Sequence, residues 1–358
     1  MTFANLTTGV NQKVDASLAP IPAQLAGGAA PVALVGVAPV ALTGVAPVAL
    51  TGVAPVALTG IGIAPSHHGE LIQGVFEEGG RLHRGLLTLP CSLFGSRAEI
   101  CLQQDEPELT VNPGWKSKAL AAAHAMLARV GLPGFGGRLT LHSTIEVGRG
   151  LGSSSSDVIA TIFAVLDAVR LRLSAEEVAR IAVEVEIASD PLMFDRMLLF
   201  GQREGRVIED LRRPMIPVEV LGFSFADEEL DTLAFAPARY TVWEIECFRA
   251  MRGLLRRAVA YGDLVSLGRI ATASAQINQR FHLVPHLSRL LGIAGESSAL
   301  GIQVAHTGTI AGLLFDPADP ELDRRLAVAA RGLRALGITE TWHYTARSDG
   351  HGRCDDAS

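Results

Sequence analysis

The stretch of this sequence with the clearest chemical potential is a glycine- and serine-rich run, GRGLGSSSSD, from Gly148 to Asp157. Glycines let a backbone approach an anion closely, and the free N–H groups and dipole of a following helix favour a phosphate. The run has neither the Gly-Lys-Ser/Thr of a Walker loop nor the spacing of a dinucleotide fingerprint. A serine-rich cap on an ordinary helix is the alternative, and the run alone does not decide between the two.

The sequence also contains histidines and cysteines, residue types that bind metals, but their spacing does not suit a metal site. His67 and His68 are adjacent, so in an extended chain their side chains point to opposite sides and do not form a two-His site. The four cysteines are scattered without a C-x-x-C pair, which indicates neither a zinc site nor a disulfide framework. A reducing cytoplasmic location is therefore expected.

The elements that must position the glycine-serine run can be read from periodicity. RLTLHSTIEV (138–147) is strand-like and enters the run, and the apolar pattern VIATIFAVLDAV after it predicts a helix. A small-residue turn is predicted from Ala64 to Gly69, followed by alternating, strand-like segments. Further helices are predicted at the following segments: 116–131, 240–263, 264–281, 285–301 and 320–337.

Composition limits the class of protein. The 358 residues carry 31 Lys and Arg against 37 Asp and Glu, a net charge of −6, which argues against nucleic-acid binding. A hydrophobic content of 48% excludes a chain that is disordered throughout. The length suits one large or two modest domains.

The N-terminal region has a composition of its own. Residues 31–62 are four near-identical octapeptides, PVALVGVA, PVALTGVA twice and PVALTGIG, and no charged residue occurs from Ala16 to Ser66. A proline and a glycine in each copy argue against a membrane helix, and the polar start fits a secretory signal poorly. Expansion of a DNA repeat or a start codon placed too far upstream explains the repeats more simply than a functional arm does. A disordered arm at residues 1–59 is expected.

Three ordered motifs resemble those of the GHMP kinases, a family of small-molecule kinases. GRGLGSSSSD resembles their second motif, the loop that wraps the phosphates of ATP. APSHHGELIQG (64–74) and GIQVAHTGTIAGLLFD (301–316) resemble the first and third motifs as they occur in the L-threonine kinases of cobalamin side-chain synthesis. EIASDPLMFDRMLLFGQREGRV (186–207) resembles a further segment of that branch.

The resemblance implies an α+β, two-lobed fold. The N-terminal lobe, expected at 60–215, would resemble the ribosomal protein S5 domain 2-like fold, and the C-terminal lobe, expected at 216–345, would be a ferredoxin-like βαβ unit. A disordered tail is expected at 346–358. The implied activity is transfer of a phosphoryl group from ATP, with Mg²⁺, to L-threonine or a similar hydroxy amino acid. Another small alcohol as acceptor, or a non-catalytic protein that binds a ligand, are the alternatives.

The resemblance also assigns residues. Asp190 is implied as the catalytic carboxylate that holds the acceptor, either as a general base or by binding an ammonium group. Ser154 and Glu186 are implied as Mg²⁺ ligands. The implied phosphate-binding residues are Gly148, Arg149, Gly150, Leu151, Gly152, Ser153, Ser154 and Ser155. The implied substrate-binding residues are Glu70, His68, His306, Thr307 and Gly308. The expected partner is thus a small molecule with a hydroxyl group. Neither a nucleic acid nor a membrane is expected as a partner, and the oligomeric state stays open.

Several of these residues have an ordinary structural alternative. Asp190 precedes Pro191 and could simply form a turn. Glu70 could stabilise its own loop, and Glu186 could lie on a solvated helix face. His306 either touches the substrate or supports residues that do. The family pattern is also broken at Glu146, where a proline is usual, and at His68, where a cysteine is common.

Overall fold

The computed structural model describes residues 57–225, 238–306 and 308–348. Most of the predicted arm (1–59) and tail (346–358) lies outside the described residues. The described ends of both belong to the folded body, because the first strand begins at Leu58 and the last strand ends at Ala346.

Groups of strands and groups of helices follow one another along the described chain. The strands are β1 (Leu58–Glu78), β2 (Arg81–Gln103), β3 (Leu109–Asn112), β4 (Gly136–Ser143), β5 (Leu198–Gly201), β6 (Arg206–Asp210), β7 (Val218–Ser224), β8 (Gly301–Val304), β9 (Ile310–Phe315) and β10 (Thr341–Ala346). The helices are α1 (Ser117–Arg129), α2 (Ser153–Ala168), α3 (Ala175–Glu186), α4 (Val242–Tyr261), α5 (Leu264–Asn278), α6 (Leu287–Glu296) and α7 (Leu322–Ala335). The six helices predicted from apolar spacing are confirmed as α1, α2 and α4 to α7. The strand predicted at 138–147 ends at Ser143, and the residues after it lead into the glycine run.

The strands form one curled sheet with the order β10-β7-β9-β8-β1-β2-β4-β3, extended by β5 and β6 beside β2. Its centre is the long antiparallel hairpin of β1 and β2, whose pairing runs from Leu58 opposite Leu102 to Glu78 opposite Arg81. β3 and β4 are parallel, and β1 meets β8 at Glu70 and Val304. Because β1 joins the two halves of the sheet, residues in its middle lie beside elements from both ends of the chain.

The segment Ala64 to Gly69 is part of β1 rather than the small-residue turn that its composition predicts. The pairing with β2 shifts register between Pro65 and Ser66 and again between His67 and Glu70. Irregularities of this kind bend a strand without ending it. The small residues therefore belong to a bent strand and not to a turn. Side chains still alternate along this strand, so His67 and His68 point to opposite faces.

Two glycines of the last octapeptide let α2 lie directly on β1. A Cβ at Gly62 would be 1.9 Å from the Ala160 carbonyl oxygen, and one at Gly60 would be 2.2 Å from that of Ala164. At the other end of the contact, the Ser156 hydroxyl donates to the Pro65 carbonyl at 2.9 Å. This packing fixes the first turn of α2 against the middle of β1.

The core follows this layering. Helices α1 to α3 pack on β1, β2 and β4, and their apolar faces form one cluster with the inward side chains of those strands. Helices α4 and α5 pack on the continuation of the sheet over a second cluster. This mixed α+β architecture agrees with the predicted fold class, and the boundary between lobes at 215 and 216 stays a prediction. Within the described ranges, no helix combines the length and the apolar character that crossing a bilayer requires.

Candidate active site

The glycine run forms a loop that ends in an uncapped helix. Gly148, Gly150 and Gly152 all have positive φ, at 77°, 85° and 74°, a conformation that favours glycine. Gly152 is the N-cap of α2, and no described side chain caps the helix. The serine-cap alternative is therefore not observed, and the arrangement is that of a helix N-terminus able to receive an anion.

The loop packs against the segment after β8. The Thr309 amide donates to the Arg149 carbonyl at 2.9 Å. A Cβ at Gly308 would lie 2.1 Å from that same carbonyl oxygen, so the two backbones touch. Gly308 thus lies beside the phosphate-loop candidates as the sequence implies, whereas Thr307 lies outside the described residues.

The first hydroxyls of α2 bind carboxylates. The Ser154 hydroxyl donates to Glu186 Oε1, and the next residue, Ser155, donates to Asp190 Oδ2 at 3.2 Å. Glu186 is 7% exposed, so it is not on a solvated helix face. Ser154 and Glu186, the two implied metal ligands, are therefore brought together, and Asp190 lies beside them on the next residue of α2, Ser155.

Glu186 has unused capacity to bind a cation. Burial raises its pKa to about 7, although the hydrogen bond from Ser154 and the charge of Lys118, 3.9 Å away, oppose that shift. Its Oε2 is buried and has no hydrogen-bond partner among the described residues. The Ser154 hydroxyl and the Glu186 carboxylate, one oxygen of which has no hydrogen-bond partner among the described residues, make an oxygen-only donor set of the kind that Mg²⁺ prefers, so these residues fit that ion.

Asp190 is held on two sides. Its Oδ2 lies 3.1 Å from His67 Nε2 and accepts the Ser155 hydrogen bond described above. Burial alone would raise the pKa of Asp190, but the charge and hydrogen bond of His67 outweigh it and hold the pKa below its usual value. Asp190 also forms the turn that its position before Pro191 suggests, since its carbonyl accepts from the Leu192 amide at 2.9 Å.

His67 is a site residue that the sequence reasoning did not assign. Its ring lies over Gly152, where a Cβ would be 2.4 Å from His67 Cδ2. Burial would lower the pKa of His67, but the carboxylates of Asp190 and Glu70 raise it to about 9. The ring is therefore an imidazolium at neutral pH, directly at the N-terminus of α2. Its position beside the glycine loop depends on the bend in β1, for which the sequence carries no signal.

Glu70 links this cluster to the segment after β8. Its Oε2 accepts from both the backbone amide and the Nδ1 of His306, at 3.1 Å and 2.8 Å. Its Oε1 lies 4.0 Å from His67 Nδ1. Glu70 thus holds the third motif in place, and its second oxygen remains turned toward the site. His306 supports Glu70, which agrees with the alternative that His306 supports residues that touch the substrate.

His67, Glu70 and Asp190 bring potential metal-binding atoms within 4.8 Å of one another. The imidazole, however, lies between the carboxylates, with Nε2 toward Asp190 and Nδ1 toward Glu70. A histidine binds a metal through one nitrogen, so this order matches a sandwiched imidazolium better than a shared ion. We interpret the cluster as an ion-pair network.

His68 is separated from the other implied substrate residues. It is fully buried on the opposite face of β1, where Nδ1 pairs with Gln303 and the ring packs edge-on to Trp342 at 5.4 Å. Burial lowers its pKa to about 3, so it is neutral. The geometry does not support a substrate contact by His68, and its location explains why a residue in this motif can differ from the family pattern.

The Arg149 side chain already contacts neighbouring residues. Its guanidinium donates to Glu146, Ser224 and Glu340, so a phosphate contact from this side chain stays a prediction.

Comparisons with known proteins show what the chain is similar to. A family model described as the GHMP kinases N terminal domain matches residues 117–193. A homoserine kinase from Moorella thermoacetica is 28% identical over 210 residues, which are 57% of this chain and 70% of that protein. An L-threonine kinase from Salmonella typhimurium is 26% identical over 180 residues, which are 50% of this chain and 60% of that protein, less than two thirds of its length. The crystal structure of a homoserine kinase from Cytophaga hutchinsonii superposes with a TM-score of 0.63 at 14% identity, covering 82% of this chain and 96% of the other.

Proposed function

We propose that this protein, which carries a GHMP kinase N-terminal domain and has the GHMP kinase fold, is an ATP-dependent kinase of a small hydroxy amino acid. The preferred reaction is ATP and L-threonine giving ADP and O-phospho-L-threonine. One observation carries the proposal: consecutive serines of α2 bind the carboxylate suited to Mg²⁺, Glu186, and the carboxylate suited to the acceptor, Asp190. Metal and acceptor would thus be held within one helical turn of the phosphate loop.

The nucleotide side of the reaction rests on the loop and the first turn of α2. The open backbone from Gly148 to Gly152 would receive the phosphates, and the helix dipole favours their charge. Ser154 and Glu186 would hold Mg²⁺, which when bound offsets phosphate charge. His67 adds a fixed positive charge at the same place. Phosphoryl transfer depends mainly on positioning and charge stabilisation, and these groups supply both.

On the acceptor side, Asp190 orients the hydroxyl that is to be phosphorylated. Because His67 keeps the pKa of Asp190 low, the carboxylate is ionised and accepts a hydrogen bond from that hydroxyl. A low pKa also makes it a weak base, which favours orientation over early removal of the proton. In a loose transition state the hydroxyl proton need leave only late, so a weak base suffices.

The charge of the site favours an acceptor with an ammonium group. Glu70 and Asp190 contribute two carboxylates around the one imidazolium of His67. Glu70 Oε1 is not occupied by His306, which binds Oε2. A hydroxy amino acid would offer Asp190 its hydroxyl and Glu70 its ammonium group. L-Threonine and L-homoserine both meet this description, and relatives named for each are found.

The direct experiment is ADP release by the full chain with Mg²⁺-ATP and a panel of L-threonine, L-homoserine, L-serine, mevalonate and a hexose. Turnover with L-threonine and phosphorus NMR of the product as O-phospho-L-threonine is the expected result. Turnover only with L-homoserine would keep the kinase and change the acceptor. Measurable ATP binding without turnover on any acceptor would instead favour the non-catalytic ligand-binding alternative.

Two variants connect the activity to the site. Asp190→Asn should lower kcat by roughly 10²-fold through loss of positioning while ATP still binds, and Ser154→Ala should lower activity at limiting Mg²⁺. Asp195→Asn is the control for the first, because Asp195 is a half-exposed carboxylate five residues further along the chain. Full activity in both Asp190→Asn and Ser154→Ala would show that the site has been placed wrongly.

A further inference from the structure

A cavity of about 520 Å³ opens on the face of the sheet that turns away from α2. Ile63 of β1, Arg97 of β2 and His142 of β4 are direct neighbours across three strands there, and all three line the cavity. Ile63 is 55% exposed, whereas its neighbour Ala64, which also lines the cavity, is fully buried beneath α2. The volume lies within the range of roughly 300–1,000 Å³ that ligand pockets occupy.

The cavity is separate from the candidate active site. Among the described residues, its lining includes neither His67, Glu70 nor Asp190, and none of the residues from Gly148 to Ser156. It is nevertheless adjacent to the site. Pro191 lines it and follows Asp190 directly, and Ala64 and Pro65 line it and accept hydrogen bonds from Ser156 of α2.

Its walls are those of a small-molecule pocket. Apolar side chains form most of the surface, among them Leu87, Leu93, Phe94, Met197 and Met215. A continuous apolar surface of this size with a few polar groups is typical of ligand sites rather than of a solvated surface.

The lining contains three arginines, Arg97, Arg196 and Arg347, and one carboxylate, Asp195. Arg196 is already paired with Asp210 at 2.9 Å, so the anion site is assigned to Arg97. Arg97 donates from Nε at 2.9 Å and from Nη2 at 2.8 Å to Glu99. A guanidinium has five N–H donors, so this ion pair leaves Arg97 further donors for an anion at the cavity mouth.

We propose that this cavity is a second small-molecule site, which takes an organic anion with an apolar body. The apolar walls bury the body of the ligand, and its carboxylate, sulfonate or phosphate lies at the Arg97 and His142 side. The proposal concerns binding alone, so it does not depend on the phosphoryl-transfer activity and is tested without turnover.

The test uses two fluorescent probes with closely related aromatic bodies. One is the anion 1-anilinonaphthalene-8-sulfonate, and the other is its uncharged analogue N-phenyl-1-naphthylamine. Titration of the full chain should show one saturable site for each probe, with the anion bound several-fold more tightly. Saturating Mg²⁺-ATP and the acceptor panel should displace neither probe. Absence of saturable binding, or displacement by Mg²⁺-ATP, would overturn the proposal.

Matched variants locate the probe. Leu93→Glu introduces a carboxylate into the cavity and should weaken the anionic probe by about tenfold or more. Leu82→Glu lies on the same strand, outside the cavity and equally exposed, and should leave both probes unaffected. Arg97→Gln should weaken the anion by about threefold and spare the neutral probe, while Arg81→Gln, at the exposed start of β2, changes neither. Equal effects in each pair would place the probe elsewhere and overturn the proposal.

Discussion

His67 Nε2 lies 3.1 Å from Asp190 Oδ2, against the first turn of α2. The imidazole is almost completely buried, and the pair connects β1 to the chain that follows α3. Breaking a buried ion pair is strongly destabilising because one charge is then left without compensation. The two residues therefore hold each other in their charged forms, which places an anion for the acceptor and a cation for the phosphates side by side.

Activity is expected to fall as the pH rises through about 9. The folded-state pKa of His67 is raised from 6.5 to about 9, so its stabilising effect is complete below 6.5 and is lost through that window. Lysine starts from a usual pKa of about 10.4, well above that of histidine, so beside the same carboxylates the cation of His67→Lys persists to higher pH. The profile of kcat/KM against pH should therefore have its alkaline limb at higher pH in His67→Lys.

The control for this shift is His83→Lys. His83 pairs with Glu204 at 2.8 Å, outside the candidate site. Its variant should keep the limb near that of the unchanged protein. An unshifted limb in His67→Lys would show that another group controls the alkaline loss.

Glu186→Gln is expected to raise the Mg²⁺ concentration needed for half-maximal activity, by at least the roughly 10–100-fold that loss of a residue supporting a metal ligand costs. An amide in place of the carboxylate keeps the size of the side chain but removes the charge that the ion needs. Glu184→Gln is the matched control, because Glu184 is an exposed residue of the same helix that pairs with Arg129. An identical Mg²⁺ dependence in the two variants would remove Glu186 from the metal site.

Much of this arrangement follows from sequence alone, because it is local. The strand, glycine loop and helix around Gly148 to Ser156 are encoded within one continuous segment, so spacing predicts them. Ser154 and Glu186 required the family resemblance, since 31 residues intervene between them along the chain. The role of His67 was not predicted, because it depends on how β1 bends over α2. The bend itself depends on register shifts opposite β2, which a single-strand pattern does not show.

The different positions of His67 and His68 also show what the sequence alone does not predict. Alternation correctly places the adjacent rings on opposite faces of the chain, but it does not say which face meets the active site. That choice is made by tertiary packing: Gly152 leaves space for His67, and Gly222 and Gly312 leave space for His68. His68, which departs from the family pattern, thus packs against Gly222 and Gly312, on the face of β1 opposite His67.

Glu70→Gln is expected to raise the KM for the acceptor by roughly 10-fold or more, with the KM for ATP little changed. The substitution removes the negative charge proposed to bind the ammonium group of the acceptor, while the amide oxygen still accepts one hydrogen bond from His306. Glu77→Gln, a half-exposed carboxylate of the same strand, is the control. Equal increases in both KM values would indicate a general loss of structure instead of a lost acceptor contact.

Gly308→Ala is expected to separate the phosphate loop from the segment after β8. The new Cβ would lie 2.1 Å from the Arg149 carbonyl oxygen and 2.3 Å from Gly150 Cα. Both atoms belong to backbone, so a side-chain rotation cannot relieve the clash, and overpacking of this kind costs about 1–3 kcal/mol of unfolding free energy. Because the displaced loop carries the anion site, ATP affinity should fall together with the melting temperature.

Gly114→Ala is the control, since nothing lies within 4 Å of a Cβ there. Thermal unfolding with and without Mg²⁺-ATP measures both effects. A Gly308→Ala protein that melts at a lower temperature but binds ATP with unchanged affinity would show that nucleotide binding does not require contact between the two loops.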